Sequence, residues 1–124
     1  MWTYEQSTGR LLKGDVFAVR GYSGYMDGHN NPGMQDVRGI GPVPQGDYDI
    51  LEAVEMVTDH GPYVLRLRPC AGTNTFGRDG FLMHGDSKEH PGLASHGCII
   101  LPFAVRELVH NSGDRLLRVV SGVV

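Results

Sequence analysis

At 124 residues and a net charge of −3, the chain is long enough for one domain with its own apolar core. Neither that charge nor the scattered Lys and Arg residues suit a nucleic-acid partner. With 18 glycines and 7 prolines it is punctuated too often for a helical bundle, which favours a β-rich fold. Two cysteines are too few for a disulfide scaffold, and no apolar stretch is long enough to insert into a membrane. The opening MWTYEQSTGR has neither the basic start nor the apolar core of a secretory signal. The chain is therefore expected to be made in the cytoplasm without a signal peptide, as a single domain over residues 1–124.

Trp2 to Gln6 and Arg10 to Lys13 flank Ser7-Thr8-Gly9, which predicts two short strands and a turn. Asp15 to Arg20 predicts another strand, buried on both faces because Val16 to Val19 is continuously apolar. Gly21 to Gly39 follows with no period of 2 or 3.6; a loop this long suits a binding wall, with Tyr22, Ser23, Tyr25 and His29 as its side chains. After the rigid turn Gly41-Pro42-Val43-Pro44, Tyr48 and Ile50 alternate with Asp47 and Asp49 as in a half-buried strand running to Met56. Thr58 to Pro62 reads as a hairpin loop. Tyr63, Leu65 and Leu67 then alternate with Arg66 and Arg68, and a loop runs from Pro69 to Gly80. Pro102, then Val105, Leu108 and Val109 at helical spacing, predict one helix stopped by Asn111-Ser112-Gly113. Arg115 to Val120 closes the chain as a strand.

The chemistry concentrates in FLMHGDSKEHPGLASHGCIIL, Phe81 to Leu101. An apolar run ends on His84-Gly85-Asp86, and a polar loop leads to Ser95-His96-Gly97-Cys98 and a second apolar run. If those two runs pair, His84 comes beside Cys98. A thiolate is the reactive form of cysteine, and a nearby imidazole favours it. Gly97 lets the backbone turn tightly, so that the Gly97 and Cys98 amides are candidates for an oxyanion hole. His84 is the preferred base. His96 sits two residues from the thiol as an alternative or as a lining residue, and Ser95 and Gly85 complete the walls. Cys70, between Pro69 and Ala71, has no such neighbourhood and reads as structural; a Cys70–Cys98 bridge is formally possible but would silence the nucleophile. His84, Asp86, His90 and His96 have ligand chemistry for zinc, but no pair has the helical i, i+4 spacing of a zinc peptidase. No cofactor is expected.

Ser95-His96-Gly97-Cys98, with His84-Gly85 upstream, resembles the signature of L,D-transpeptidases of the YkuD type. Ile100 departs from it, because cell-wall-synthesising members usually carry Arg or Asn there. W-x-Y-x-Q-S-T-G (Trp2 to Gly9), G-Y-S-G (Gly21 to Gly24), N-N-P (Asn30 to Pro32), G-P-V-P-x-G-x-Y-x-I (Gly41 to Ile50) and G-R-D-G-F-x-x-H-G-D (Gly77 to Asp86) together resemble the L,D-transpeptidase-related effectors of bacterial type VI secretion. The resemblance implies a small mainly β sandwich or barrel related to YkuD, with one short helix in its C-terminal half. It implies action on peptidoglycan tetrapeptide stems: L,D-carboxypeptidase cleavage after meso-diaminopimelate, or exchange of the terminal D-alanine, through an acyl-enzyme on Cys98 with His84 as base. Arg78, Asp86 and Tyr22 are then candidates to meet the substrate. A target in a competitor's periplasm, delivery by the secretion machinery and a cognate immunity protein are the partners it implies.

Two other classes compete. An NlpC/P60-type cysteine amidase would carry its cysteine at the start of a helix with the histidine downstream, and here the order is reversed. A non-catalytic wall-binding or phage- or secretion-associated module would have no need of both His84 and Cys98.

Overall fold

The structure, a computed structural model, describes residues 1–57 and 60–122. Strands β1 (Trp2–Glu5), β2 (Arg10–Lys13), β3 (Val16–Arg20) and β4 (Tyr22–Ser23) come first. Two 3₁₀ turns, Met26–Gly28 and Pro32–Met34, follow within the long loop. The remainder is β5 (Gly46–Val57), β6 (Gly61–Pro69), β7 (Leu82–His84), β8 (Ile99–Ile100), helix α1 (Phe103–Asn111) and β9 (Leu116–Val120). Among the described residues the nine strands join one sheet in the order β3-β2-β1-β9-β5-β6-β7-β8-β4. The fold is thus mainly β with one short α-helix, as the turn-rich sequence predicts. Among the described residues no helix is long and apolar enough to cross a membrane.

The outermost strands of that order, β3 and β4, are separated in the chain by Gly21 alone. A single residue cannot span an open nine-stranded sheet, whose neighbours lie about 4.8 Å apart, so the sheet has to curl until its edges meet. Gly21 forms the seam. Its N–H donates to Gly9 O at 2.7 Å, and a Cβ there would lie 2.1 Å from Ile100 O. Gly9, at φ +75°, is packed as tightly, since its own Cβ would lie 2.0 Å from Gly21 O.

Inside the curl, Trp2, Tyr4, Leu11, Tyr48, Leu65, Met83, Ile99 and Leu117 are each no more than 2 % exposed. The alternating strands behave as their patterns predict: Tyr48, Ile50, Leu65 and Leu67 point inward, and Arg66 and Arg68 outward. Two expectations are corrected. The β3 run is a sheet edge rather than a doubly covered strand, with Val16 70 % and Phe17 53 % exposed. On α1, Val109 is buried as the period demands, but Leu108 is exposed and Arg106 is buried in its stead. Arg106 is drawn inward because its guanidinium donates to Pro62 O, Tyr63 O and Leu101 O. Of the expected Thr58–Pro62 loop, Thr58 and Asp59 lie outside the described residues, while Gly61 and Pro62 already belong to β6.

An added methyl at the seam has nowhere to go except into the main chain. Gly21→Ala is expected to cost about 1–3 kcal/mol, the usual range for an overpacked site. Urea denaturation against wild type reads this directly, and an unchanged midpoint would dismiss the seam as a constraint.

Candidate active site

The site begins with the pairing of β7 and β8. They run parallel in the register Met83↔Ile99 and His84↔Ile100. Met83 and Ile99 are fully buried in the core. Alternation along a strand therefore turns Leu82, His84, Cys98 and Ile100 to the opposite face. This brings His84 and Cys98 onto one side of adjacent strands, although 14 residues separate them in sequence. Both line a cavity of about 220 Å³. Beyond His84 and His96, which border both spaces, a groove of about 1120 Å³ opens between β4 and the loop after β7. Tyr22, Gly85 and Asp86 line that larger groove.

His84 is only 2 % exposed. Its Nδ1 lies 2.8 Å from Gly85 O. A carbonyl can only accept, so the neutral ring carries its proton on Nδ1 and leaves Nε2 with a free lone pair. Nε2 is buried without a hydrogen-bond partner among the described residues. Burial lowers the His84 pKa to about 4, against a smaller opposing effect from the Gly85 carbonyl. The Cys98 thiol is half-buried, 3.7 Å from Gly80 O. Its burial pushes its pKa up to about 11, opposed by the Leu82 N–H and the positive charge of Arg78. At neutral pH the two rest as neutral thiol and neutral imidazole.

Ser95 ties the turn before Cys98. It is fully buried, and its hydroxyl accepts from Gly24 N at 2.9 Å and Gly97 N at 3.2 Å. The same hydroxyl donates to Cys98 O at 2.6 Å. Gly97 stands at φ +135°, and a Cβ on it would lie 2.5 Å from Arg78 Nη2. His96 is exposed, with Nδ1 2.9 Å from Gly39 O and its ring on Tyr25 at 4.5 Å. It is thus held in the same tautomer as His84. Asp86 accepts from Tyr22 Oη at 2.5 Å and from Ser87 N and Gly92 N. Tyr22 in turn accepts from Ala94 N at 2.9 Å, which closes the loop between β7 and Ser95. Arg78 is buried, donating from Nη1 to Gln35 O and Pro42 O and from Nη2 to Gly41 O and His96 O.

The structure thus gathers Cys98, His84, His96, Gly97 and Arg78 around the small cavity, with Ser95 behind them and Tyr22, Gly85 and Asp86 along the groove. One residue of the site escapes the sequence reading. His60, at the tip of the β5–β6 hairpin, lays its ring against His84 with centroids 4.6 Å apart. It lines both spaces, and its own Nδ1 is buried without a partner among the described residues. Only a histidine in a hairpin loop marks it in sequence, and no local pattern says where that tip lands. Among the described residues, no group of three or more His, Cys, Asp or Glu side chains is placed to hold a metal ion. Cys98 leads into strand β8 rather than a helix, which is unlike the NlpC/P60 arrangement.

Fold and site together define a small curled β domain presenting a cysteine and a histidine in one cavity beside a groove. The Tlde1 domain family matches residues 18–120, and the chain belongs to it: the domain family of type VI secretion L,D-transpeptidase effectors. No curated protein sequence matches the chain.

The burial of His84 has a consequence for stability. In the unfolded chain its imidazole takes a proton near pH 6.5, and in the folded chain only near 4. Between those values the unfolded state binds more protons, so stability falls as pH falls. The loss is expected to reach about 3 kcal/mol by pH 4. Denaturation curves of wild type and His84→Gln between pH 7 and 4 test it. The variant should lose distinctly less stability across that window, and parallel curves would exclude His84 as the cause.

Proposed function

We propose that the chain is a cysteine enzyme acting on the tetrapeptide stems of peptidoglycan, as an L,D-carboxypeptidase, a D-amino acid exchange transpeptidase, or both. Family membership gives the coarser statement, a type VI effector domain of L,D-transpeptidase type. The observation that carries the finer one is that Cys98 and a buried His84 line one cavity, with the His84 Nδ1 proton fixed by Gly85 O and its Nε2 without a hydrogen-bond partner among the described residues. A base must present its lone pair on the correct nitrogen and bear no proton at working pH. His84 meets both requirements.

In this reading the Cys98 S–H proton passes to His84 Nε2 as the sulfur attacks the diaminopimelate carbonyl. Gly97 N–H already serves Ser95 Oγ, so the Cys98 amide is the oxyanion donor. The tetrahedral intermediate collapses as His84 returns its proton to the departing D-alanine amine, leaving a thioester on Cys98. Water resolves the thioester to give carboxypeptidase products, and a D-amino acid amine resolves it to give exchange. Arg20 and Lys88, which line the groove and make no ion pair among the described residues, suit the carboxylates of the stem. His96 orients substrate at the mouth. The site of action is the periplasm of a target bacterium, reached through the secretion machinery, with a cognate immunity protein in the producer.

Purified protein incubated with disaccharide-tetrapeptide, with and without a D-amino acid, and read by mass spectrometry gives the decisive test. Cys98→Ala should abolish turnover and leave thermal stability near wild type. His84→Ala should lose roughly a hundredfold or more, while His96→Ala keeps measurable turnover with a raised KM. An inactive His96→Ala beside an active His84→Ala would exchange the two roles. Wild-type protein that leaves the stem intact would end the proposal.

A further inference from the structure

The cavity at Cys98 has a cation in its wall that the reaction above does not use. Arg78 is 5 % exposed, and it makes no ion pair among the described residues. Its nearest partners are main-chain carbonyls, which solvate a guanidinium without neutralising it. Removing an arginine from water with no anion beside it is costly. The neighbours do not supply one. The Tyr48 hydroxyl donates to Pro44 O, and burial raises its pKa, so it stays neutral at pH 7. Asp36 and Asp79 are exposed and lie beyond ion-pair distance. One group close enough to feel Arg78 electrostatically gains negative charge in the proposed chemistry, and that is the Cys98 thiol.

The geometry ties the same arginine to the turn that carries the thiol. Its Nη2 donates to His96 O at 3.3 Å and to Gly41 O at 2.9 Å, while Nη1 holds Gln35 O and Pro42 O at 2.5 and 2.8 Å. The guanidinium therefore clasps the loop before β5 to the peptide preceding Gly97. It fills the space a side chain at Gly97 would need and packs over the Phe81 ring at 5.6 Å. A cation gripped by four carbonyls cannot swing out to bind a ligand. It is fixed before the thiolate exists, which is the arrangement that stabilises developing charge without reorganisation.

We infer that Arg78 is a positioning residue for Cys98, holding the His96–Gly97–Cys98 turn and supplying the fixed positive charge against which the thiolate forms. This rests on the reading above only in taking Cys98 as the nucleophile. Arg78 keeps all its protons throughout: the thiol proton goes to His84 Nε2, and no bond to the guanidinium is made or broken. The other titratable or charged groups lining the cavity are Arg38, Asp79, His60, His84 and His96. Of these only Arg38 is a second permanent cation, and it lies on the exposed rim, bonded to Gly77 O.

Alkylation of the folded full chain tests this without peptidoglycan. Iodoacetate is anionic and iodoacetamide neutral, so their rate ratio at a thiol reports local charge. Cys70 is an internal reference, because the acids near it, Asp49 and Asp47, are paired with Arg68 and Arg118, so that no unpaired cation stands beside this thiol among the described residues. Peptide mass spectrometry should give a ratio at Cys98 at least about threefold above that at Cys70. Arg38→Gln should keep that preference. Arg78→Met should lose it and slow iodoacetamide at pH 7 about tenfold, as the thiol titrates about one pH unit higher. Arg78→Lys should retain the anion preference while turnover falls, which separates charge from clasp. A Cys98 ratio no higher than that of Cys70 in wild type overturns the inference, as does a folded Arg78→Met with the wild-type pH profile. Should Arg78→Met not fold, the ratios in wild type and Arg38→Gln decide. Wild type showing the preference but leaving tetrapeptide uncut would sink the proposed function and leave this assignment standing.

Discussion

Closure of the sheet through one glycine is the constraint on which the rest depends. Because Gly21 alone links β3 to β4, the first and last strands of the sheet order must meet end to end at that residue. The contact that limits Gly21 is Ile100 O, in the strand residue opposite His84 and Tyr22. The seam that makes the curl therefore also fixes the strand that follows Cys98. Two residues in β8 and two in β4 are too few to hold a register alone. They hold it because a wrong register would push Gly21 into a carbonyl and turn Ile99 out of the core. Precision at the site comes from packing at the seam rather than from the length of the local strands.

Two buried arginines continue that logic on either side of the reacting pair. Arg78 clasps the loop before β5 to the turn before Cys98, and Arg106 clasps the tip end of the β5–β6 hairpin to Leu101 O. Each has a glycine against it. A Cβ at Gly97 would lie 2.5 Å from Arg78, and one at Gly85 3.0 Å from Arg106. The His-Gly and His-Gly-Cys elements thus owe their glycines to guanidinium groups packed beneath them as much as to backbone freedom. Both arginines satisfy loop carbonyls that would otherwise be buried without partners.

The parts that were legible in the sequence are those with a local period or local chemistry. Tyr48 and Ile50, Leu65 and Leu67, and Val105 and Val109 each reveal a buried face through spacing alone. The bracketing of His84 and Cys98 by apolar runs reveals two paired strands. The misreadings share one cause, which is that long-range partners override local pattern. Val16 to Val19 looks like an interior strand, yet β3 becomes an edge because the seam lies immediately after it. Arg106 takes the inward position at the expense of Leu108 because carbonyls of a distant hairpin wait there. Arg78 is a candidate to meet substrate in sequence, and nothing local foretells the carbonyls of Gln35, Gly41, Pro42 and His96 that its guanidinium holds. His60 carries no local signal, since its role depends on where a hairpin tip falls.

The buried Nε2 of His84 then makes physical sense. A core histidine kept for stability would have both ring nitrogens bonded, because an unmet buried polar atom costs about 1–3 kcal/mol. Here one nitrogen is anchored and the other is left without a partner among the described residues, on a ring that borders the same cavity as a thiol that burial holds protonated. His96 is oriented by the same device, a carbonyl on Nδ1, but at the exposed rim, where water satisfies its other nitrogen at no cost. The two imidazoles differ in solvation rather than in tautomer. A proton accepted in the dry position stays close to the sulfur and the leaving amine, whereas one accepted at the rim exchanges with solvent. That difference, more than proximity in sequence, is what supports the proposal of His84 as base and His96 as the residue that handles substrate.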